Sequence, residues 1–324
     1  MPKPIVYITR KIPKEGLEEL YKHCAVRMHA SQKPPSRAQL FSYAKRADAL
    51  ISVFTEKIDK EVFAKSPNLK IVANYAVGFD NIDLKAAAKA EVSISNTPST
   101  VAAHAVAQHA MAMILTLARR LPEADSFMRL GRYKAWDPSL LLGYDMNKKT
   151  LGIVGSGRIG STLVHIASRG YDMDIIYYDV MRNKDIEKKY KAKKVTLQQL
   201  LKSSDYVSLH VPLLPTTRHM IGAKELSQMK ETALLVNTSR GAVINEKALV
   251  SALRAKKIMG AGIDVYENEP KLSPGLAKLL NIVLTPHIAS ATYAARKEMG
   301  EMVTQSVVDV LIRGKRPRNE VGAK

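Results

Sequence analysis

The chain contains one cysteine, Cys24, one tryptophan, Trp136, and five phenylalanines among 324 residues, and its acids are few, 30 against 50 lysines and arginines. A single thiol excludes an intrachain disulfide, and no metal-ligand spacing surrounds it, so neither a disulfide scaffold nor a metal site is expected. A reducing compartment, the cytoplasm, fits this usage. Long hydrophobic runs are also missing: stretches such as 110–118 fall short of the roughly 20 residues of a membrane span. The N-terminus runs into strand-like Ile5–Ile8 without a signal-peptide pattern. A soluble, unexported protein with no membrane partner is the expectation. The +20 charge raises the question of nucleic acid. The basic residues are scattered, however, densest at 184–194 and 315–318, and no zinc-finger spacing, RNP-like motif or helix-turn-helix accompanies them. No nucleic-acid partner is expected; steering of small anions and dinucleotides, or simply a solvated charged face, accounts for the surplus.

What is present is a globular composition, 46% hydrophobic, in a chain long enough for two cores. Before residue 98, β-like runs (5–8, 49–53, 70–73, 92–95) alternate with helical stretches (13–21, 36–45, 60–64, 84–88), an α/β pattern complete in itself. A second series follows between 150 and 286, with strands near 152–154, 175–178, 206–209, 234–236, 262–265 and 282–284, six strands suited to a doubly wound dinucleotide fold. Between the two lie a long apolar helix, 101–119, and a charged, aromatic segment, 121–149. After Pro286 the spacing of Met299, Met302, Val303, Val307, Val310 and Leu311 predicts a helix that returns to the first domain. The polar tail from Gly314 is expected to be loose.

Residues 151–160 read Leu-Gly-Ile-Val-Gly-Ser-Gly-Arg-Ile-Gly, an apolar run feeding a GxGxxG at Gly155, Gly157 and Gly160. The first glycine permits a tight turn, the second lets backbone approach a pyrophosphate, and the third lets helix and strand pack closely. The phosphates then rest on a helix N-terminus. Asp179 closes the next apolar run, 19 residues beyond Gly160, where a carboxylate can accept from a ribose 2′-hydroxyl. An acid there favours NAD, since a 2′-phosphate would meet like charge; nearby Arg182 keeps NADP open.

Ligands of open parallel sheets bind at the carboxyl ends of strands. Three residues qualify by following predicted strands: Arg240 after Leu-Leu-Val-Asn-Thr-Ser, Glu269 after Gly-Ile-Asp-Val-Tyr-Glu-Asn, and His287 after Ile-Val-Leu-Thr-Pro. Carbonyl reduction needs this set: a guanidinium fork for an α-keto acid, an acid to protonate its oxygen, and a carboxylate to hold that acid charged. Each alone has a plainer reading, as a surface ion pair, a turn residue before Pro270, or a structural histidine. Their common sheet edge is what joins them. His104 and His109, five apart on the apolar helix, read as packing or interface residues, and His210 as a wall of the adenine pocket. His165 and His219 read as surface or packing residues.

Val-Gly-Ser-Gly-Arg-Ile-Gly (154–160), Asn-Thr-Ser-Arg-Gly (237–241), Asp-Val-Tyr-Glu-Asn-Glu-Pro (264–270) and Thr-Pro-His (285–287) resemble the D-isomer-specific 2-hydroxyacid dehydrogenases. Asn-Tyr-Ala-Val-Gly-Phe-Asp-Asn-Ile-Asp (74–83) and Ser-Leu-His-Val-Pro-Leu (208–213) extend the resemblance over nearly the whole chain. Within the family the chain is most similar to glyoxylate and hydroxypyruvate reductases, through Trp-Asp-Pro (136–138), Leu-Leu-Leu-Gly (140–143) and Thr-Glu-Lys-Ile-Asp (55–59). The resemblance implies two Rossmann-like α/β domains. One is a flavodoxin-like substrate domain of 1–98 and 290–324; the other is an NAD-binding domain of 99–289 that includes a dimerisation segment, 99–145.

It also implies roles. Arg240 binds substrate, His287 is the general acid/base, and Glu269 holds and charges the imidazole. The amides of Val77 and Gly78 receive the substrate carboxylate in an interdomain cleft, with Phe54 and Trp136 shaping substrate choice and Trp136 reaching a partner subunit's site in a homodimer. NAD(H), favoured over NADP(H), would meet Gly155, Gly157, Arg158, Ile159, Gly160, Asp179, Val180, Met181, His210, Val211, Pro212, Thr217, Thr238, Ser239, Arg240, Asp264, His287 and Ala289. Asp264 would contact the nicotinamide carboxamide. The chain departs from the family pattern at Ala289, usually glycine, at Gln108, commonly an acid, and in the loop 99–105. The expected reaction is reduction of glyoxylate or hydroxypyruvate. D-3-phosphoglycerate and D-lactate-type dehydrogenases are nearer alternatives, and a dinucleotide-sensing corepressor-like protein a more distant one.

Overall fold

Short runs of Val, Ile, Leu and Ala with no polar alternation become parallel strands, because helices cover both faces of such strands. The computed structural model describes residues 2–31 and 33–322 and divides into two units, Met1–Ala102 with Ala291–Lys324, and Ala103–Ser290. In the first unit five parallel strands, β1 (Ile5–Ile8), β2 (Ala25–Met28), β3 (Ala49–Ser52), β4 (Ile71–Asn74) and β5 (Ser93–Ser95), lie in the order β2-β1-β3-β4-β5. β3 and β4 are buried along their whole length. One face of the sheet packs Val6, Ile8, Ile51 and Ile71 with Val303 and Val307; the other packs Leu50 and Val72 with Phe63. The helix Tyr293–Leu311 contacts β3 and β4, so the return of the last helix to the first unit is observed.

The second unit has seven parallel strands: β6 (Thr150–Val154), β7 (Asp174–Tyr178), β8 (Lys193–Lys194), β9 (Tyr206–Leu209), β10 (Leu234–Asn237), β11 (Gly260–Ile263) and β12 (Ile282–Leu284). Their order is β12-β11-β10-β9-β6-β7-β8. The winding reverses between β6 and β9, which creates a crevice at the carboxyl ends of those strands. Both units are doubly wound α/β sheets, as the sequence predicts.

Two strands escape the sequence reading. β2, Ala-Val-Arg-Met, alternates exposed and half-buried residues, and β8 is a pair of exposed lysines. Both are edge strands, where charge replaces the apolar run that marks a central strand. The tail also departs from expectation. Val321 N donates to Ile94 O at 2.8 Å, Asn96 N to Asn319 O at 3.3 Å, and Pro317 is buried, so residues 317–321 dock beside β5. The final two residues lie outside the described ones.

The apolar helix runs over Thr100–Ala118 and, taken whole, is long and apolar enough by length and composition to cross a membrane; the run 110–118 understates it. Ala107, Ala110, Met111, Met113, Ile114 and Ala118 are nevertheless buried in the core of the second unit with Leu151, Leu163 and Val236. Burial inside the fold explains the apolar surface of this helix.

Candidate active site

The turn after β6 is built as a glycine cradle. Gly155 takes φ 95°, and a Cβ there would sit 2.8 Å from the His210 carbonyl; a Cβ on Gly160 would meet Gly155 O at 2.1 Å. At Gly157 a Cβ would find nothing within 4 Å, so the second glycine faces open space above the first turn of the helix Arg158–Tyr171. Ser156 anchors the turn: its N–H and hydroxyl donate to Asp179 Oδ2 at 2.7 and 3.0 Å, and its carbonyl accepts from Asn183 Nδ2 at 2.7 Å. Asn183 is a supporting residue that no sequence motif marked.

At the neighbouring strand ends, the buried Nδ1 of His210 and Oγ1 of Thr238 have no partner among the described residues. Such orphaned atoms are costly unless a ligand engages them. A crevice at the switch point, an open glycine turn on a helix N-terminus and these unsatisfied atoms all fit a dinucleotide. Val180 and Met181 follow Asp179 as exposed apolar residues, 85% and 73% accessible. Val211 and Pro212 follow His210, and the Thr217 hydroxyl donates to Pro212 O at 2.6 Å, closing that loop. The guanidinium of Arg182 pairs with Glu187 at 2.8 Å.

His287 Nδ1 lies 2.9 and 3.1 Å from the two carboxylate oxygens of Glu269, and Tyr266 N donates to Glu269 Oε1 at 2.9 Å. Burial alone would raise the Glu269 carboxyl. The hydrogen bond and charge of His287, the Tyr266 N–H and the Arg240 guanidinium outweigh burial and hold it below the usual glutamate value. Arg240 is positioned by its own loop: Asn237 Nδ2 donates to Arg240 O at 2.9 Å, Asn237 Oδ1 accepts from Ser239 N and Oγ, and Arg240 Nη1 donates to Ser239 O. A Cβ on Gly241 would fall 1.9 Å from the carbonyl carbon of Tyr266, so only glycine lets the Arg240 loop lie against the Glu269 loop. The structure therefore brings the three sequence-predicted residues onto one sheet edge.

His287 itself has φ 54°, a left-handed conformation that persists in a non-glycine residue only where its surroundings over-determine it. Asp264, fully buried at the end of β11, does so. Its carbonyl accepts His287 N at 2.8 Å, Oδ1 accepts Ile288 N at 2.8 Å and the Thr285 hydroxyl at 2.5 Å, and Oδ2 accepts Ala289 N at 2.9 Å. His109 extends the network, with Nε2 3.1 Å from Thr285 Oγ1. Beyond packing, then, His109 braces the histidine loop; its place 176 residues earlier in the chain gave no sign of this. His219 Nε2 lies 2.6 Å from Glu267 Oε1, and the buried Glu246 accepts Glu267 N and the Ser273 hydroxyl at 2.6 Å each, fixing the loop that carries Glu269.

In the first unit the turn after β4 has its carbonyls tied and its amides open. Asn96 Nδ2 donates to Val77 O at 2.7 Å and Asn74 Nδ2 to Gly78 O at 2.8 Å, while the N–H groups of Val77 and Gly78 meet no acceptor among the described residues. Such a turn suits an anion. Phe54 lies in the loop after β3, which the buried Glu56 holds by accepting Val53 N at 3.0 Å. Trp136 is 77% exposed and makes no hydrogen bond or ring contact among the described residues.

Fold and site together define a dinucleotide-dependent oxidoreductase. The family model described as D-isomer specific 2-hydroxyacid dehydrogenase, NAD binding domain, matches residues 111–289. A glyoxylate reductase of Korarchaeum cryptofilum is 47% identical over 322 residues, 98% of this chain and 96% of that protein. The crystal structure of a glyoxylate reductase from Paecilomyes thermophila is similar with a TM-score of 0.86 at 33% identity, covering 99% of both chains. A D-lactate dehydrogenase from Aquifex aeolicus, solved with NAD and lactic acid, gives 0.84 at 29% identity, again over 99% of both. The chain belongs to the D-isomer-specific 2-hydroxyacid dehydrogenase family.

Burial pushes the His210 imidazole down to about 4 from 6.5. Between those values the unfolded chain binds the extra proton, so stability is lost as pH falls from about 6.5 towards 4, by about 3 kcal/mol in all. Urea titrations across this range should record the loss, and His210→Asn should flatten it; an equal slope in the variant would remove His210 as its source.

Proposed function

We propose that the protein reduces glyoxylate to glycolate, or the closely related hydroxypyruvate to D-glycerate, with NADH. The observation that carries this reading is the His287–Glu269 contact beside the Arg240 loop. With Nδ1 committed to Glu269, Nε2 is the nitrogen that can deliver a proton to the substrate oxygen. The Glu269 carboxylate stabilises the positive ring until that proton leaves. Arg240 offers a planar fork to the carboxylate and carbonyl of a 2-oxo acid, withdrawing electrons from the carbon under attack. The Val77–Gly78 turn is, by itself, also suited to a carboxylate. A nicotinamide, when bound, supplies the hydride; the proton taken from His287 completes the alcohol, and solvent restores it. The high identity to a glyoxylate reductase over the whole chain supports a small substrate.

NADH is favoured over NADPH on two grounds. Asp179 stands where a 2′-phosphate would bring like charge, and Arg182, the cation that could offset it, is occupied by Glu187. We also infer a homodimer built on the segment after the apolar helix, where Leu121, Met128, Leu130, Trp136 and Leu142 are all more than half exposed. Contiguous exposed apolar residues of this kind mark association surfaces.

His287→Ala should lower kcat for glyoxylate by about 10²-fold or more with little effect on folding. Glu269→Gln, which keeps a hydrogen-bonding group and loses the charge that holds the imidazolium, should also lower kcat for glyoxylate. Full activity in His287→Ala would end the proposal. Parallel assays should give kcat/KM at least about tenfold higher with NADH than NADPH, one lost charge contact's worth, with Asp179→Ser narrowing the gap; an NADPH preference in the parent would reverse the assignment. Sedimentation should give twice the 35.8 kDa chain mass, and a monomer at micromolar concentration would refute the dimer.

A further inference from the structure

The basic run 184–194 takes no part in the reductase chemistry, yet its folding gathers charge. Lys191 ends the helix Lys184–Tyr190 in the left-handed conformation, φ 56°, and the chain then extends into β8. Lys191 and Lys193, on either side of the buried Ala192, line a cavity of about 570 Å³ together with Lys189 from the last turn of the helix. Arg169 faces them from the helix Arg158–Tyr171, its guanidinium 5.9 Å from the centre of the Tyr190 ring. Buried Met173 and Ile175 lie at the base.

Two carboxylates, Asp172 and Asp174, also line the cavity, and Asp172 accepts from Asn147 Nδ2 at 3.3 Å. Neither pairs with the four cations, and none of those cations has an ion-pair partner among the described residues, whereas Arg182, Lys230 and Arg313 are all paired. Like charges converging on a concavity create a focused positive potential that a bound anion would relieve.

The location is separate from the glycine turn. Thr150, Asp174 and Lys193, the first residues of β6, β7 and β8, lie on the cavity wall, at the amino edge of the sheet. Gly155 follows the opposite end of β6, about 15 Å of strand away.

We propose that this cavity binds a small phosphorylated molecule bearing at least two closely spaced anionic groups. Its phosphates would meet Lys189, Lys191, Lys193 and Arg169, and its carbon portion the Tyr190 ring and the apolar base. The volume falls in the range of small-ligand sites, and the charge is concave rather than spread in a stripe, which favours such a ligand over a nucleic-acid strand.

Inorganic tripolyphosphate is the probe, added to the full chain saturated with NADH so that the dinucleotide crevice is closed to it, at constant ionic strength. Calorimetry should record saturable one-to-one binding. Lys189→Gln/Lys191→Gln/Lys193→Gln should weaken it at least about tenfold, as charge-assisted contacts are lost, while glyoxylate reduction persists. Arg169→Gln alone should weaken binding in the same direction and serves if the triple variant does not fold. Equal binding by parent and variants, no saturable binding by the parent, or displacement of the probe by a single-stranded oligonucleotide that binds more tightly would each overturn the proposal.

Discussion

One buried carboxylate carries the candidate active site. Asp264 directly follows β11 with its side chain removed from solvent, and its three oxygens accept hydrogen bonds from Thr285, His287, Ile288 and Ala289. These bonds hold His287 in a left-handed backbone conformation that its Cβ disfavours by roughly 1–2 kcal/mol, and so aim the ring at Glu269. A buried acceptor deprived of its donors costs about 1–3 kcal/mol each, so the network is stable only when complete. The geometry of the imidazole is therefore a property of β11 and β12 jointly. Thr285, braced by His109 from the apolar helix, ties that geometry to the core of the second unit.

Each of the other two members is fixed by a different local device. Arg240 depends on Asn237, whose side-chain amide and oxygen close the loop around it, and on Gly241, which lets two loops touch at backbone distance. Glu269 depends on Tyr266 N and, one step back, on Glu246, a buried acid that binds the loop at two points. The common logic is that buried polar groups are spent on orienting loops rather than left to solvent, which is how a strand edge becomes a rigid site.

The charge surplus is unevenly organised in the second unit. At the carboxyl edge of the sheet the acids have partners: Asp179 accepts from Ser156, while Glu187 pairs with Arg182 and Glu269 with His287. At the amino edge, lysines stand without partners around a cavity. The edge strand β8 is charged as exposed edges commonly are, which discourages pairing with another sheet. That protective role explains the lysines of β8 but not Arg169 or Lys189, which belong to helices.

Much of the fold was legible because central parallel strands are continuous apolar runs and helices carry their own periodicity. The glycine turn, Asp179 and the three strand-end residues could be read because their chemistry needs particular residue types immediately after a strand. β2 and β8 were not legible, because an edge strand buries too little to require an apolar run. The docked tail, His109, Asn183 and Glu246 were hidden for another reason: each acts through a hydrogen bond to residues far away in the chain, and no local pattern marks a partner of that kind. The sequence by itself determined the central strands and main helices, the doubly wound class and the identity of the reactive side chains, since these follow from propensity, periodicity and chemistry along the chain. Only the tertiary structure decided which polar groups meet, because hydrogen-bond partners as far apart in the chain as His109 and Thr285, 176 residues, are brought within 3.1 Å by packing alone.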